Sequence, residues 1–232
     1  APHPGDWLSV RQEPGQTFED YAGAEFRKPR GLKRVIYLTP LGEFPEGASP
    51  SLTLLVECTQ AYFSLEVKVS PPVNKSRSRF TARANPVTGD FQVLTGDVLA
   101  YLRRHFPPDA FCVLGITMED LYPGADGNFV FGQAAPQAGV GVFSFARHDP
   151  AFYGNPREEG CIETLTRRSC KALLHETAHM LSLAHCVYFH CLMNGSNHLA
   201  EGDARPMHLC PVCLRKLHHA VGFNLVERYQ RL

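Results

Sequence analysis

The sequence predicts an α+β domain in which a twisted mixed sheet packs on one side of a long, deep helix. Short β-branched runs fill the first two thirds of the chain, an unbroken helical pattern follows over 161–184, and helical patterns end the chain. Strands first and helices last are typical of α+β proteins. Because no internal repeat is present, we expect one domain over 1–232. It divides into a loose segment 1–30, the sheet and long helix in 31–185, and a C-terminal part 186–232.

The first elements predict a β-α-β unit. The run Arg34–Thr39 is apolar and β-branched and is closed by a proline, which indicates a buried strand. Ser51–Phe63 carries apolar residues at helical spacing after a Ser-Pro start signal. Ser64–Ser70 then alternates apolar and polar residues, as a strand does.

The middle of the chain continues the sheet. Thr95 is a candidate cap for a helix over 96–105, and Ala110–Thr117 is an apolar strand. Two more β-like runs follow, Asn128–Gly132 and Gly139–Ala146. The second run fits an edge strand, to which a peptide could add by main-chain pairing, and an interior strand equally well.

Helical patterns dominate the remainder of the chain. Cys161–Ala184 lacks internal glycine and proline and repeats apolar residues at helical spacing. Leu209–Phe223 and Asn224–Leu232 predict terminal helices, with Gly222 as the break between them.

Composition and charge exclude several classes of partner. The chain has 23 basic and 23 acidic residues and lacks a basic stripe interleaved with aromatics, so we expect no nucleic acid partner. The basic run Lys75–Arg83 is Ser-rich and indicates a solvated loop rather than a binding arm.

No apolar run is long enough to span a bilayer and Ala1–Gln16 lacks a signal-peptide pattern, so we expect no membrane partner. Cysteines grouped with histidines suit a reducing compartment, so we expect an intracellular protein, cytoplasmic first and nuclear second. Nothing requires an oligomer, and we expect a monomer.

The motif His175-Glu-Thr-Ala-His179 carries the first chemical signal. Residues four apart lie above one another on a helix, so both imidazoles can bind one metal ion. Glu176 lies beside them, where its carboxylate can take a proton from a zinc-bound water whose pKa is lowered to about 7. The pattern alone is moderately specific.

His185 stands where a third histidine would complete the longer motif H-E-x-x-H-x-x-G-x-x-H. The helix must end after Leu181 if this ring is to reach the same metal. Glycine usually occupies the turn because it accepts positive φ without a Cβ penalty. Here Ser182 takes that position.

Four clustered cysteines predict a second metal site. Two closely spaced pairs of thiols can form a tetrahedral site with no open position, so we assign it a structural role that pins the C-terminal helices to the long helix. Buried reduced cysteines are the alternative. Three nearby histidines could replace a ligand in either site, although surface positions are commoner for such residues. The four cysteines are Cys186, Cys191, Cys210 and Cys213, and the histidines are His190, His198 and His208.

Taken together, His175 to Cys213 reads H-E-x-x-H-x-x-S-x-x-H-C-x4-C-x-M followed by C-x-x-C, and it resembles the archaemetzincins, a branch of the metzincin metallopeptidases. The segment 220–232 is also similar to the family's C-terminal segment, in its eukaryotic members especially. The resemblance implies a metzincin-like fold, two zinc ions per chain, one catalytic and one structural, and a peptide or protein substrate. By the same resemblance Met193 is the Met-turn residue beneath the histidines; without it, Met193 reads as a core methionine before a tight turn.

The function that follows is a zinc metallopeptidase, in which zinc and Glu176 activate water for attack on a peptide bond. The resemblance favours aminopeptidase-like action on small peptides, while the substrate-binding residues stay unassigned. The alternative is a zinc-stabilised peptide-binding module with weak or lost catalysis, for which Ser182 is the reason. A weaker third possibility is a non-peptide hydrolase that uses the same water.

Overall fold

A computed structural model describes residues 2–74, 78–125 and 127–232. The described residues build two sheets. The larger sheet consists of β1 (Val35–Pro40), β2 (Val67–Val69), β5 (Ala110–Thr117), β7 (Gly132–Ala135) and β8 (Val140–Ser144). Its strand order is β2-β1-β5-β8-β7. The first four strands of that order are parallel, and β7 is antiparallel to β8. The predicted α+β class with a mixed sheet is confirmed.

Helices cover both faces of the larger sheet. Each of the eight residues of β5 is buried, which is expected of a parallel strand covered on both sides. One face packs its apolar side chains, among them Ile36 and Leu114, against helices α3 (Leu52–Phe63) and α5 (Cys161–Met180). The other face, with Val113 and Val142, packs against α4 (Thr95–Arg104).

A second sheet of three strands was not predicted. Its order is β3-β4-β6, with β3 (Ala82–Ala84), β4 (Phe91–Leu94) and β6 (Asp120–Tyr122). The strands are short, and polar side chains stabilise them from within. Arg147 donates two hydrogen bonds of 2.8 Å to the buried carboxylate of Asp120. Because charged side chains stabilise this sheet, the spacing of apolar residues does not predict its strands.

Several predicted helices and strands are present, but their ends are shifted. The helix predicted over Ser51–Phe63 is present as α3, and Ser51 is its N-cap, which accepts a hydrogen bond from the amide of Leu54. Thr95 does not cap α4; it is the first residue of that helix, and its hydroxyl donates to Gln133 and Tyr122 instead. Ser64 adopts left-handed φ of 51° and ends α3, so β2 is shorter than the predicted strand.

One prediction near the sheet edge is wrong, and at a second position the structure decides between two alternatives. Residues 128–131 form only an isolated bridge, between Val130 and Leu121, and β7 begins at Gly132. The run 139–146 contains β8, which pairs with β5 on one side and β7 on the other, so it is interior and cannot accept a peptide strand. The sheet ends at β7.

The C-terminal and N-terminal segments add further helices. Helices α7 (Pro211–Val221) and α8 (Leu225–Arg231) follow the prediction, and Gly222 between them has φ of 75°. Helix α6 (Leu199–Ala204) and the N-terminal helices α1 (Trp7–Val10) and α2 (Phe18–Gly23) were not predicted. Tyr21 on α2 is fully buried, which differs from the loose segment expected over 1–30.

Two expectations about partners concern the basic run and membrane spans. Residues 75–77 of the basic run Lys75–Arg83 lie outside the described residues. Within the described ranges, the helices are too short or too polar to cross a membrane.

Candidate metal centre

The two helical histidines lie on one face of α5, as their spacing predicts. The Nε2 atoms of His175 and His179 are 3.0 Å apart. Two nitrogens bound tetrahedrally to one zinc ion at about 2.05 Å would lie about 3.3 Å apart, so this pair is close to the spacing that a shared zinc requires. His175 is buried, with 5% of its surface exposed.

The helix ends as the third histidine requires. The chain turns through Ser182, whose φ is 62°, the left-handed conformation that glycine favours. The amides of Leu181 and Leu183 both donate to the carbonyl of Ala178, so the turn is closed by backbone hydrogen bonds. Serine therefore forms the turn at the position where glycine is usual, in the left-handed conformation that the turn requires.

His185 returns to the other two rings after this turn. Its ring centroid lies 5.2 Å from that of His175 and 5.0 Å from that of His179. One ligand atom from each ring can be chosen so that all three lie within 4.8 Å of one another. The structure thus brings together the three histidines that the sequence analysis singled out.

The outer nitrogen of each ring is already engaged. The Nδ1 atoms of His175 and His179 lie 2.9 and 2.6 Å from the carbonyl oxygens of Leu192 and Leu183. The Nδ1 atom of His185 lies 2.9 Å from a carboxylate oxygen of Glu13. Since carbonyls and carboxylates only accept, a hydrogen on Nδ1 satisfies these contacts and leaves a lone pair on Nε2 for a metal ion. At His175 the donor Nη1 of Arg205 also lies 3.1 Å from Nδ1, farther than the carbonyl oxygen of Leu192 at 2.9 Å. The donor set therefore fits zinc.

Burial sets the protonation of the centre. It is the largest influence that lowers the pKa values of His175 and His185, which favours the neutral imidazoles that bind metal ions. Burial also raises the pKa of Glu176, while the nearby His179 and Arg205 act in the opposite direction. A carboxyl group whose pKa is raised is better suited to accept and return a proton near neutral pH.

The four cysteines meet as predicted, behind the turn that carries His185. Their sulfur atoms lie within 4.8 Å of one another, and those of Cys186 and Cys210 are 3.7 Å apart. Sulfurs bound tetrahedrally to zinc at about 2.3 Å would be about 3.8 Å apart. Hydrogen bonds from Cys191 and Cys213 lower the pKa of Cys186, which favours a thiolate in the cluster. All four are buried and the site fits a closed structural zinc.

The other predicted residues occupy supporting positions. Met193 is fully buried, and its carbonyl accepts a hydrogen bond of 2.8 Å from the amide of Cys186. His190 bonds to the carbonyl of Ala204, while His198 caps α6 and bonds to Asp6. His198 also belongs to a third group of possible ligands, with Asp6 and Glu201, whose side chains already hold α1 against α6. Among the described residues, none of the three extra histidines joins either predicted site.

The sequence analysis missed the residues that surround the histidines from the N-terminal segment. A cavity of about 550 Å³ opens onto the three histidines and Glu176, and Trp7 lines it. The ring of Trp7 meets His185 edge to face at a centroid distance of 5.0 Å. Glu13 and Trp7 are more than 170 residues from His185 along the chain, so no spacing in one sequence connects them.

Comparisons with known proteins agree with this geometry. A family model described as Peptidase family M54 matches residues 74–219. Archaemetzincin-2 of Rattus norvegicus is 42% identical over 255 residues, which cover 98% of this chain and 71% of that protein. Archaemetzincin-1 of Homo sapiens is 38% identical over 255 residues, which cover 98% of this chain and 51% of that protein.

Solved structures are similar over most of the chain. A crystal structure of an archaemetzincin from Methanopyrus kandleri is 28% identical with a TM-score of 0.61, and the match covers 84% of this chain and 99% of that one. The structure of a zinc-dependent peptidase from Methanocorpusculum labreanum is 25% identical with a TM-score of 0.60, covering 78% and 99%.

Proposed function

This chain belongs to peptidase family M54, the archaemetzincins, and is a zinc-dependent metallopeptidase; from that premise we propose that its three clustered histidines hold the catalytic zinc and that Glu176 is the general base. The single observation that carries the proposal is the convergence of the three histidine rings, which offer one nitrogen each within 4.8 Å of one another while Nδ1 of each ring contacts a carbonyl or carboxylate oxygen. We also propose a second, structural zinc at the four cysteines, because their sulfur atoms lie within 4.8 Å of one another.

The protein's own residues supply the proton transfers. Zinc bound at the histidines would contribute Lewis-acid chemistry, polarising the scissile carbonyl and making water more acidic. Glu176 lines the same cavity as the histidines, so its carboxylate can accept the proton of the attacking water and deliver it to the leaving amine. Burial raises the pKa of Glu176, which makes its carboxylate a stronger base for the proton of the attacking water.

We place the substrate backbone beside β7, the end strand of the larger sheet. Gly132, its first residue, lines the cavity. On the side of β7 away from β8, no further strand lies among the described residues, so main-chain groups on that side can pair with a peptide. This replaces the interior strand β8 as the candidate binding edge.

Small peptides with a free N-terminus are the proposed substrate class. The cavity of about 550 Å³ is in the range that encloses a drug-sized ligand, which corresponds to a short peptide rather than a folded chain. Comparing a peptide series with free and acetylated N-termini separates the two modes of cleavage. Aminopeptidase action predicts turnover of the free series only, while equal turnover of both indicates internal cleavage.

The experiment that tests the proposed chemistry replaces Glu176 with glutamine. The change keeps the side chain's size and removes the base, so hydrolysis of a mixed peptide library should stop while zinc content stays at about two ions per chain. Glu163 is exposed near the other end of the same helix and provides the control: Glu163→Gln should keep both activity and zinc. Persistent hydrolysis by Glu176→Gln would remove Glu176 from the mechanism.

A further inference from the structure

We propose that Glu13, Gln16 and Tyr21 of the N-terminal segment form a clamp that positions His185 and the turn before it. We call these three residues the N-terminal clamp. The inference rests on the proposed function, because it takes His185 as the third zinc ligand. It assigns a positioning role to residues that lie far from the motif in sequence.

Glu13 contacts the ligand ring directly. Its Oε1 atom is 2.9 Å from Nδ1 of His185, and a quarter of the Glu13 side chain is exposed. The other carboxylate oxygen, Oε2, is buried and has no hydrogen-bond partner among the described residues. A buried unpaired oxygen is unfavourable, so packing alone does not account for a carboxylate here. Zinc-binding histidines commonly donate their outer N–H to such a carboxylate, which fixes the tautomer and the ring orientation.

Gln16 bridges the two ends of the turn. Its amide Nε2 donates to the carbonyl of Ser182 at 3.2 Å, and its Oε1 accepts from the amide of Ala184 at 3.1 Å. One side chain thus satisfies the carbonyl of the left-handed residue itself and the amide two positions later. This contact holds the serine in a conformation that glycine would adopt more readily.

Tyr21 and Lys216 anchor the clamp to the rest of the protein. The hydroxyl of the fully buried Tyr21 donates to the carbonyl of Leu181 at 2.7 Å. Lys216, also buried, lies on α7 and donates to the main-chain carbonyl and the Oε1 atom of Gln16. Since α7 begins beside Cys210, the clamp connects the four-cysteine site to the turn that carries His185.

Loss of the carboxylate should therefore weaken zinc binding at the histidines without affecting the cysteines. Removing a side chain that accepts the outer N–H of a metal-bound histidine typically lowers metal affinity by about 10- to 100-fold. The full chain is purified with both zinc ions and titrated with a chelator, and zinc per chain is measured by elemental analysis. Glu13→Ala should release one zinc ion at a chelator concentration about 10- to 100-fold lower than wild type, and retain the other.

Matched variants separate positioning from general destabilisation. Glu13→Gln keeps an acceptor for the Nδ1 hydrogen, so its zinc retention should fall between those of wild type and Glu13→Ala. Glu25, exposed in the same N-terminal segment, provides the control, and Glu25→Ala should release zinc like wild type. Loss of both zinc ions together from Glu13→Ala, or no difference between the alanine and glutamine variants, would overturn the positioning role.

A reference variant keeps the two proposals apart. His185→Ala should release one zinc ion more readily than Glu13→Ala. If His185→Ala retains both ions as wild type does, the assigned ligand set fails. If His185→Ala loses its zinc while Glu13→Ala behaves as Glu25→Ala, only the clamp is refuted.

The turn gives an independent check through Gln16. Gln16→Ala should also release the histidine-bound zinc more readily, because Ser182 loses its bridging partner. Adding Ser182→Gly to that variant should restore part of the lost affinity, since glycine holds the turn without help. A glycine substitution that restores nothing would contradict the bridging role of Gln16.

Discussion

Replacing Ser182 with glycine should stabilise the protein. At φ of 62° the serine Cβ crowds the following carbonyl oxygen, which costs about 1–2 kcal/mol. Glycine removes that cost but gains freedom in the unfolded chain, which offsets about 0.5–1 kcal/mol. The difference predicts an increase of about 0.5–1 kcal/mol in the free energy of unfolding.

Ser64 offers a matched site for the same measurement. It ends α3 with φ of 51°, away from the metal centre, so the same backbone argument applies. Urea unfolding of zinc-saturated protein should show higher midpoints for Ser182→Gly and Ser64→Gly, with unchanged slopes. Ser182→Ala keeps the Cβ atom and should show no such gain.

The outcome that refutes the reasoning is specific. If Ser64→Gly raises the midpoint while Ser182→Gly lowers it, the serine side chain stabilises the turn in a way that backbone strain does not describe. If neither variant raises the midpoint, left-handed strain contributes nothing measurable at either position.

Three further predictions concern stability. Cys210→Ser should lower the melting temperature more than His185→Ala does. A closed thiolate site joins distant segments of the chain, and its zinc binding free energy is roughly 10 kcal/mol. Equal shifts of the melting temperature would contradict a structural role for the cysteine site. Burial lowers the pKa of His148 from 6.5 to about 4, so its neutral form stabilises the fold above pH 6.5 and this contribution is lost as pH falls toward 4. In the wild type this titration should lower the free energy of unfolding by roughly 3 kcal/mol as pH falls from 6.5 to about 4, and His148→Phe should abolish that decrease. An unchanged pH profile of the free energy of unfolding, measured with urea, would count against this reasoning. Tyr21→Phe should cost about 1–2 kcal/mol by leaving the carbonyl of Leu181 without its donor, and a neutral change would show that water replaces it.

Local patterns made much of the fold predictable. The helix that ends at Phe63 and the strand Ala110–Thr117 follow from residue types that act within their own segment, and both lie where predicted. The three-histidine and four-cysteine clusters were predictable for the same reason, because helical spacing and paired thiols fix their geometry locally. Even the turn at Ser182 followed from the need to bring His185 back to the helix.

Long-range contacts determine the features of the structure that could not be predicted from the sequence. Thr95 resembles a cap in sequence, yet its hydroxyl donates across the sheet to Gln133. The small second sheet is stabilised by the buried pair of Arg147 and Asp120 rather than by apolar alternation. Glu13 reaches His185 only in the folded chain, so a single sequence contains no spacing that could reveal it.

Anomalous diffraction at the zinc edge tests the central claim most directly. The proposed ligand set predicts two peaks per chain. One should lie about 2.0–2.1 Å from the Nε2 atoms of all three histidines, and the other about 2.3 Å from the four sulfurs. A peak at the cysteines alone, or one at the helical pair with the ring of His185 turned away, would contradict the proposed metal centre.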